Sequence, residues 1–157
     1  MITSQDKALQ LRDEDISVIN ELRRNARTSL KRMAVRMKLP VSTVCDRMSK
    51  YVKGRVIRNT CLLDFKRAGY NARHVVAIAT ARDNKGIVQD FLENHANVNN
   101  LLLAASNYDF LAETVFHKES DFHAFISVLR AQYSAVITAT YCIGSDIKRE
   151  TLELKRK

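Results

Sequence analysis

The sequence of 157 residues contains few of the residues from which most catalytic and metal sites are built. It has four glycines, which are too dispersed to form a phosphate-binding loop, and it contains no HExxH or GxSxG motif. Its three cysteines, Cys45, Cys61 and Cys142, form no CxxC pair and therefore neither a zinc-binding spacing nor a disulfide framework. We expect them to be buried, reduced thiols. The sequence predicts no catalytic residues, no metal and no cofactor.

Long apolar runs are also missing. No segment approaches the roughly 18 consecutive apolar residues that a membrane helix needs. The first six residues, MITSQD, lack the apolar core of an export signal. With 46% hydrophobic and 27% charged residues, the composition is that of a folded protein. We expect a cytoplasmic protein with no membrane association.

Positive charge is concentrated in the first half of the chain. Residues 1–70 contain 16 basic and 7 acidic side chains, whereas residues 71–157 contain 10 of each. Within residues 23–58, 12 basic side chains accompany one acid, Asp46. Such a confined excess of charge is typical of a surface that binds a polyanion, although a solvated basic face is the simpler alternative.

The first third of the chain predicts three short helices. Asp13 is the expected N-cap of the first helix, which extends to Arg24. Ser29 is expected to cap the second helix, and Pro40, the only proline, prevents its continuation. The third helix is predicted to begin at Ser42. Helical spacing places these side chains in the core: Val18, Ile19, Leu22, Leu30, Met33, Ala34, Met37, Val44, Met48 and Tyr51.

After the third helix the pattern changes to period two over residues 56–63, which predicts a short hairpin or wing. Residues 1–63 are therefore interpreted as a winged helix-turn-helix domain, followed by a linker over residues 64–72.

Residues 73–157 are predicted to form a second domain. Strand patterns cover residues 73–81, 98–105, 108–116 and 136–143, with helices over 84–95 and 120–132. The buried positions predicted for these two helices are Ile87, Val88, Phe91 and Leu92 in the first and Phe122, Phe125, Ile126 and Leu129 in the second. Ser106-Asn107 is expected to be a tight turn between the middle strands, and Asn84 a helix cap. The order β-α-β-β-α-β is that of the ferredoxin-like fold, so the fold class is α+β.

In a helix-turn-helix, the third helix enters the major groove of DNA and its N-terminal residues contact base edges. If the third helix buries its apolar stripe, its outward side chains are Ser42, Thr43, Asp46, Arg47 and Lys50. Arginine can bind guanine through two hydrogen bonds, and an acid can accept from cytosine. Asp46 can equally be an i, i+4 partner of Lys50. Phosphate contacts are assigned to Arg27, Lys31, Arg32, Arg55 and Arg58.

Several short segments, in this order, resemble the Lrp/AsnC (feast/famine) transcriptional regulators. They are Leu11-Arg12-Asp13-Glu14-Asp15, Arg27-Thr28-Ser29, Val41 to Met48, and Val56-Ile57-Arg58. Tyr108-Asp109-Phe110-Leu111 lies where the family has a Gly-x-Tyr-Asp turn, in its regulator-of-amino-acid-metabolism (RAM) domain. The resemblance covers about residues 11–150.

The resemblance implies a homodimer built through the C-terminal domains, often assembled into tetramers or octamers. It also implies an amino acid or related effector in a cleft lined by Ser106, Asn107, Tyr108 and Asp109. Ser106 replaces the usual glycine, which changes how closely a ligand carboxylate can approach the backbone. The alternative interpretation of this loop is an ordinary turn capped by Asp109. Arg55 likewise replaces the glycine that normally precedes the wing.

Two other functions compete with a sequence-specific regulator. Some Lrp-like proteins are haem-pathway (sirohaem-type) decarboxylases that use His and Arg in the C-terminal fold. The four histidines, His74, His95, His117 and His123, all lie in that half but show no ligand spacing, and we expect them to be half-buried or exposed. An architectural protein would instead bind any duplex with similar affinity.

Overall fold

A computed structural model describes residues 11–58 and 60–155. The described residues form two compact units. Residues up to Cys61 and residues from Ile147 onward form the first unit, and Leu62–Asp146 form the second. The C-terminal segment after Ile147, which the sequence assigned to the second domain, thus lies with the first unit.

Three helices form the first unit: α1 (Asp13–Arg24), α2 (Leu30–Met37) and α3 (Val41–Lys53). The prediction that Asp13 caps α1 is wrong, because Asp13 is already helical. The cap residue is Arg12, whose backbone N–H donates to the Asp15 carboxylate at 2.9 Å. The predicted cap of α2 is confirmed, since the Ser29 hydroxyl accepts from the Arg32 N–H at 3.3 Å.

The three helices enclose two adjoining groups of buried side chains. Val18 and Ile19 of α1 pack with Tyr51 of α3, and Met33 and Ala34 of α2 pack with Val44 of α3. Leu22, Met37 and Met48 contact both groups. This core is the apolar stripe that the helical spacing predicted, and it determines which face of α3 remains outside.

The hairpin predicted over 56–63 is not present in the described residues of that segment, of which none is in a strand. Instead, the N–H groups of Val56 and Ile57 donate to the Tyr51 carbonyl, at 2.9 and 3.4 Å, so this part of the segment closes the end of α3. Backbone N–H groups that bond the Tyr51 carbonyl are not free to form the hydrogen bonds of a strand pair. Arg55, at the position where the family has glycine, has a φ of 53°, in the region that favours glycine.

The second unit is a four-stranded antiparallel sheet with two helices. Its elements are β1 (Ala72–Ala79), α4 (Lys85–Asn94), β2 (Val98–Leu103), β3 (Phe110–Phe116), α5 (Glu119–Tyr133) and β4 (Val136–Cys142). A 3-10 turn over Arg82–Asn84 precedes α4. The strands lie in the order β2-β3-β1-β4. The predicted sequence of strands and helices is therefore present.

One face of the sheet is covered by α4 and α5. Phe122, Phe125, Ile126 and Leu129 of α5 are buried there, as predicted. Val88 and Leu92 of α4 are also buried. The prediction that Ile87 is buried is wrong, because 58% of it is exposed. Asn84 precedes α4, but its side chain makes no capping bond and instead donates to the Tyr133 carbonyl at 3.4 Å.

Three further expectations are corrected. The connection between β2 and β3 is a six-residue loop, 104–109, and not a tight Ser106-Asn107 turn. All three cysteines are free, as expected, but exposed and not buried. His74 is 3% exposed, its ring stacked on Phe122 with 3.8 Å between centroids.

Candidate nucleic-acid interface

Helices α2 and α3 are joined by a short connection whose conformation is set by the backbone of Lys38, Leu39 and Pro40. Lys38 ends α2 in the left-handed conformation with a φ of 54°, and the Leu39 N–H donates to the Ala34 carbonyl at 3.0 Å. Pro40 then precedes the first turn of α3. Because Val44 and Tyr51 are fully buried, the opposite side of α3 faces outward.

The cationic side chains of this region are exposed, and most lack an anionic partner. Within the described part of the chain, none of the following forms an ion pair: Arg27, Lys31, Arg32, Lys38, Lys50, Lys53, Arg55 and Arg58. Arg36 is different, because it pairs with Glu21 of α1. A set of uncompensated cations on one small unit raises the local positive potential, which attracts a polyanion.

Arg47 has a different environment from the other predicted contacts on α3. Its guanidinium donates to the carboxylates of Glu14 and Asp15 of α1, and 19% of its side chain is exposed. The Tyr51 hydroxyl donates to the same Asp15 carboxylate at 2.5 Å. Arg47 therefore links α3 to α1 inside the unit, and it does not point freely outward as the sequence predicted.

The electrostatics of this group favour the ionised forms of Asp15 and Arg47 and the neutral form of Tyr51. Burial alone would raise the pKa of Asp15, but hydrogen bonds from Tyr51, from the Arg12 N–H and from Arg47 hold it below its ordinary value. Burial and the bond to Asp15 raise the pKa of Tyr51 far above its ordinary value, so the phenol stays protonated and remains a donor. Asp15, Arg47 and Tyr51 therefore form a charged, hydrogen-bonded brace that links α1 to α3.

The remaining predicted residues of α3 are available on its outer side. Ser42, Asp46 and Lys50 are exposed, and Thr43 is half-buried. Within the described residues, Asp46 forms no ion pair with Lys50, so the i, i+4 alternative is not realised. A shallow depression beside them is lined by Asp46, Ser49, Lys50, Lys53 and Gly54. Sequence reasoning missed Lys53, although its position one turn after Lys50 was a usable signal.

The predicted effector residues all lie in the loop between β2 and β3. Ser106 and Asn107 are exposed, and Tyr108 and Asp109 are half-buried. One Asp109 oxygen accepts from the Thr80 N–H at 2.9 Å, and the other pairs with the Lys85 ammonium at 2.7 Å. The bond from Lys85 and that from the Thr80 backbone lower the pKa of Asp109.

Asp109 thus fastens the end of its own loop. Its backbone N–H donates to the Ile78 carbonyl and its carbonyl accepts from the Ala104 N–H, both at 2.8 Å. Because both carboxylate oxygens already have partners in the chain, Asp109 shapes the loop and leaves Ser106 and Asn107 as its accessible polar groups.

The histidines occupy four different environments. His74 Nε2 lies 2.9 Å from Glu119, and His117 contacts the Gly69 carbonyl at 3.0 Å. His95 packs among aromatic rings, and burial lowers its pKa, while His123 is exposed. Among the described residues, no three His, Cys, Asp or Glu side chains are grouped to hold a metal ion. No helix in the same ranges has the length and apolar character to cross a bilayer.

No protein-family model and no curated protein sequence matches this chain. Solved structures do match its fold. B. subtilis LrpC superposes with a TM-score of 0.79 at 19% identity, covering 89% of this chain and 99% of LrpC. An AsnC family transcriptional regulator from Agrobacterium tumefaciens gives 0.75 at 18% identity, covering 88% and 94%.

A transcriptional regulator from Neisseria meningitidis, solved as a complex with L-Met, gives a TM-score of 0.79 at 17% identity. The alignment covers 93% of this chain and 97% of that protein. The structural neighbours of the chain thus include many Lrp/AsnC family transcriptional regulators, as the sequence resemblance indicated, and the chain shares their fold over most of its length.

Proposed function

We propose that this chain is a sequence-specific DNA-binding transcriptional regulator of the Lrp/AsnC type. Its first unit is the DNA-binding helix-turn-helix, without a paired-strand wing in the described residues, and its second unit is a ferredoxin-like RAM-type domain. The observation that carries the proposal is the set of exposed, uncompensated cations on α2 and around α3, beside exposed polar side chains at the start of α3.

The cations and the polar residues have different roles in this proposal. Arg27, Lys31 and Arg32 bind phosphates and position the protein without reading sequence. Ser42, Asp46 and Lys50 lie on the exposed side of α3, where they contact base edges. Asp46 forms no ion pair with any described residue, which favours this role, because an unpaired acid within a cationic surface opposes phosphate binding and needs another reason to be there.

The proposal is tested by gel retardation of double-stranded DNA at about 50 mM salt, followed by selection of bound genomic fragments. We expect retardation that weakens steeply with salt, and selected fragments bound about 10³-fold or more tighter than random DNA. Equal affinity for all duplexes would indicate an architectural protein, and no retardation at low salt would refute the proposal.

We also propose that the 104–109 loop binds an amino acid or a related small molecule through Ser106 and Asn107. Support comes from the exposure of these two polar side chains and from a structural neighbour solved with L-Met. Isothermal calorimetry with the twenty amino acids tests this. We expect heat from at least one of them, lost in Asn107→Ala and retained in Asn94→Ala on α4. Silence from all twenty would remove the effector from the proposal.

The uncovered face of the sheet supports a homodimer. Leu102, Leu111, Ala77 and Ala139 form one row across the four strands, and Val75 and Tyr141 pair in another row. Because the alternate residues of β1 and β3 lie in the helix-covered core, these side chains face the other side. Leu102 and Tyr141 are 58% and 59% exposed. We propose that a second copy covers this apolar face.

Leu102→Glu is expected to convert the dimer to a monomer, because a charge would be buried between the two sheets. The control is Leu103→Glu, which changes the neighbouring and equally exposed leucine on the other side of the strand. Light scattering coupled to size exclusion measures the mass of each variant. A monomeric parent chain, or a dimer that tolerates Leu102→Glu, would contradict the arrangement.

A further inference from the structure

The C-terminal segment lies against α1. No residue from 143 to 155 is in a regular helix or strand, yet the segment makes a series of contacts with this helix. The Asn20 side chain donates to the Leu154 carbonyl and accepts from the Leu154 N–H, both at 2.9 Å. A side-chain amide that binds both backbone groups of one residue holds an extended strand as a neighbouring β-strand would.

Two arginines of α1 extend this contact toward the start of the segment. Arg23 donates to the Leu152 carbonyl at 2.7 Å and pairs with Glu150 at 3.4 Å. Arg24 pairs with Glu153 at 2.9 Å. The three side chains of α1 thus recognise two backbone carbonyls, one backbone N–H and two carboxylates.

The contact also has an apolar anchor. The Leu154 side chain packs against the buried group of Val18, Ile19 and Tyr51. Leu154 is half-buried, whereas Leu152 is 70% exposed. Leu154 is therefore the leucine that anchors the segment. The arrangement combines a pocket for one side chain, backbone hydrogen bonds and flanking charge pairs, which is how domains bind short extended peptides.

We propose that Asn20, Arg23 and Arg24 on α1 form a peptide-binding surface, and that the segment Glu150–Leu154 of this chain is its ligand. The ligand is a short peptide with acids four residues and one residue before the anchoring leucine. It is releasable, because its charge pairs are largely exposed and therefore screened by salt. This inference does not depend on DNA binding.

The test uses the full-length Leu154→Asp chain and a fluorescent peptide of residues 148–157. Introducing a charge at the apolar anchor releases the chain's own segment. Fluorescence anisotropy is then expected to show peptide binding to this variant and at least 10-fold weaker binding to the parent chain, whose tethered segment competes at high effective concentration. Adding Asn20→Ala to the variant should abolish binding. Equal binding to the variant and the parent, or none to the variant, overturns the proposal.

A second measurement needs no released segment and covers the case in which Leu154→Asp fails to fold. Limited trypsin digestion of full-length Asn20→Ala, followed by mass spectrometry, is expected to remove the C-terminal residues at least about fivefold faster than in the parent chain. The control, Asn25→Ala, changes an asparagine that lies outside this contact and bonds the Arg27 N–H. Identical cleavage rates in all three proteins would show that Asn20 does not hold the segment.

Discussion

Arg47→Ala is expected to lower the free energy of unfolding by about 3 kcal/mol, and the melting temperature by roughly 10 °C. The substitution leaves Asp15, which is 8% exposed, without its cationic partner. A buried carboxylate that loses its ion pair retains the full cost of its desolvation. Thermal melting followed by circular dichroism measures the effect.

Lys50→Ala on the same helix is the matched control. Lys50 is exposed and forms no ion pair within the described residues, so its loss should change the unfolding free energy by less than about 0.5 kcal/mol. The same substitution should reduce affinity for a selected site by about 1–3 kcal/mol if Lys50 contacts a base. If the Arg47→Ala variant instead has the melting temperature of the parent chain and loses only its preference among DNA sequences, then Arg47 contacts bases and the brace does not contribute to stability.

The triple variant Arg27→Ala, Lys31→Ala and Arg32→Ala is expected to weaken binding to every duplex by about two to three orders of magnitude near 0.1 M salt. Each lost phosphate contact lowers the slope of log affinity against log salt by about 0.9, so the slope should fall by about three. Fluorescence anisotropy titrations between 50 and 200 mM salt measure it. Stability should be nearly unchanged, because all three side chains are exposed.

A control with equal charge loss separates local contacts from net charge. Arg82, Lys118 and Arg130 are exposed cations of the second unit, and replacing them by alanine removes the same three charges. We expect that control to retain the parent slope within about one unit. Equal losses in both triple variants would mean that overall charge, and not the surface of α2, attracts DNA.

The local pattern of the sequence was sufficient to predict the helices and strands. A stripe such as Val44, Met48 and Tyr51 requires no information beyond helical spacing, and Pro40 ends α2 by its own covalent geometry. The same holds for α5, whose four predicted core residues are buried. Local reasoning failed over residues 56–63, where none of the described residues is in a strand and the N–H groups of Val56 and Ile57 bond the Tyr51 carbonyl.

The roles of individual polar residues depended on partners that are distant in sequence. The sequence offers Asp109 both as a ligand residue and as a loop cap, and the structure places its carboxylate between Thr80 and Lys85. The local pattern did not indicate either of these partners. The attachment of Leu154 to Asn20 spans 134 positions and had no signal in the local pattern.

By itself, the sequence determined the order of elements, the segregation of positive charge into the first half and the apolar faces that must be buried. These properties depend on side-chain periodicity and composition, which are local. Only the tertiary structure decided that Arg47 is tied to α1 while Lys50 remains outside, and that the C-terminal segment returns to α1. Both outcomes depend on which side chains contact each other across the fold. The spacing of residue types along the chain does not specify those contacts.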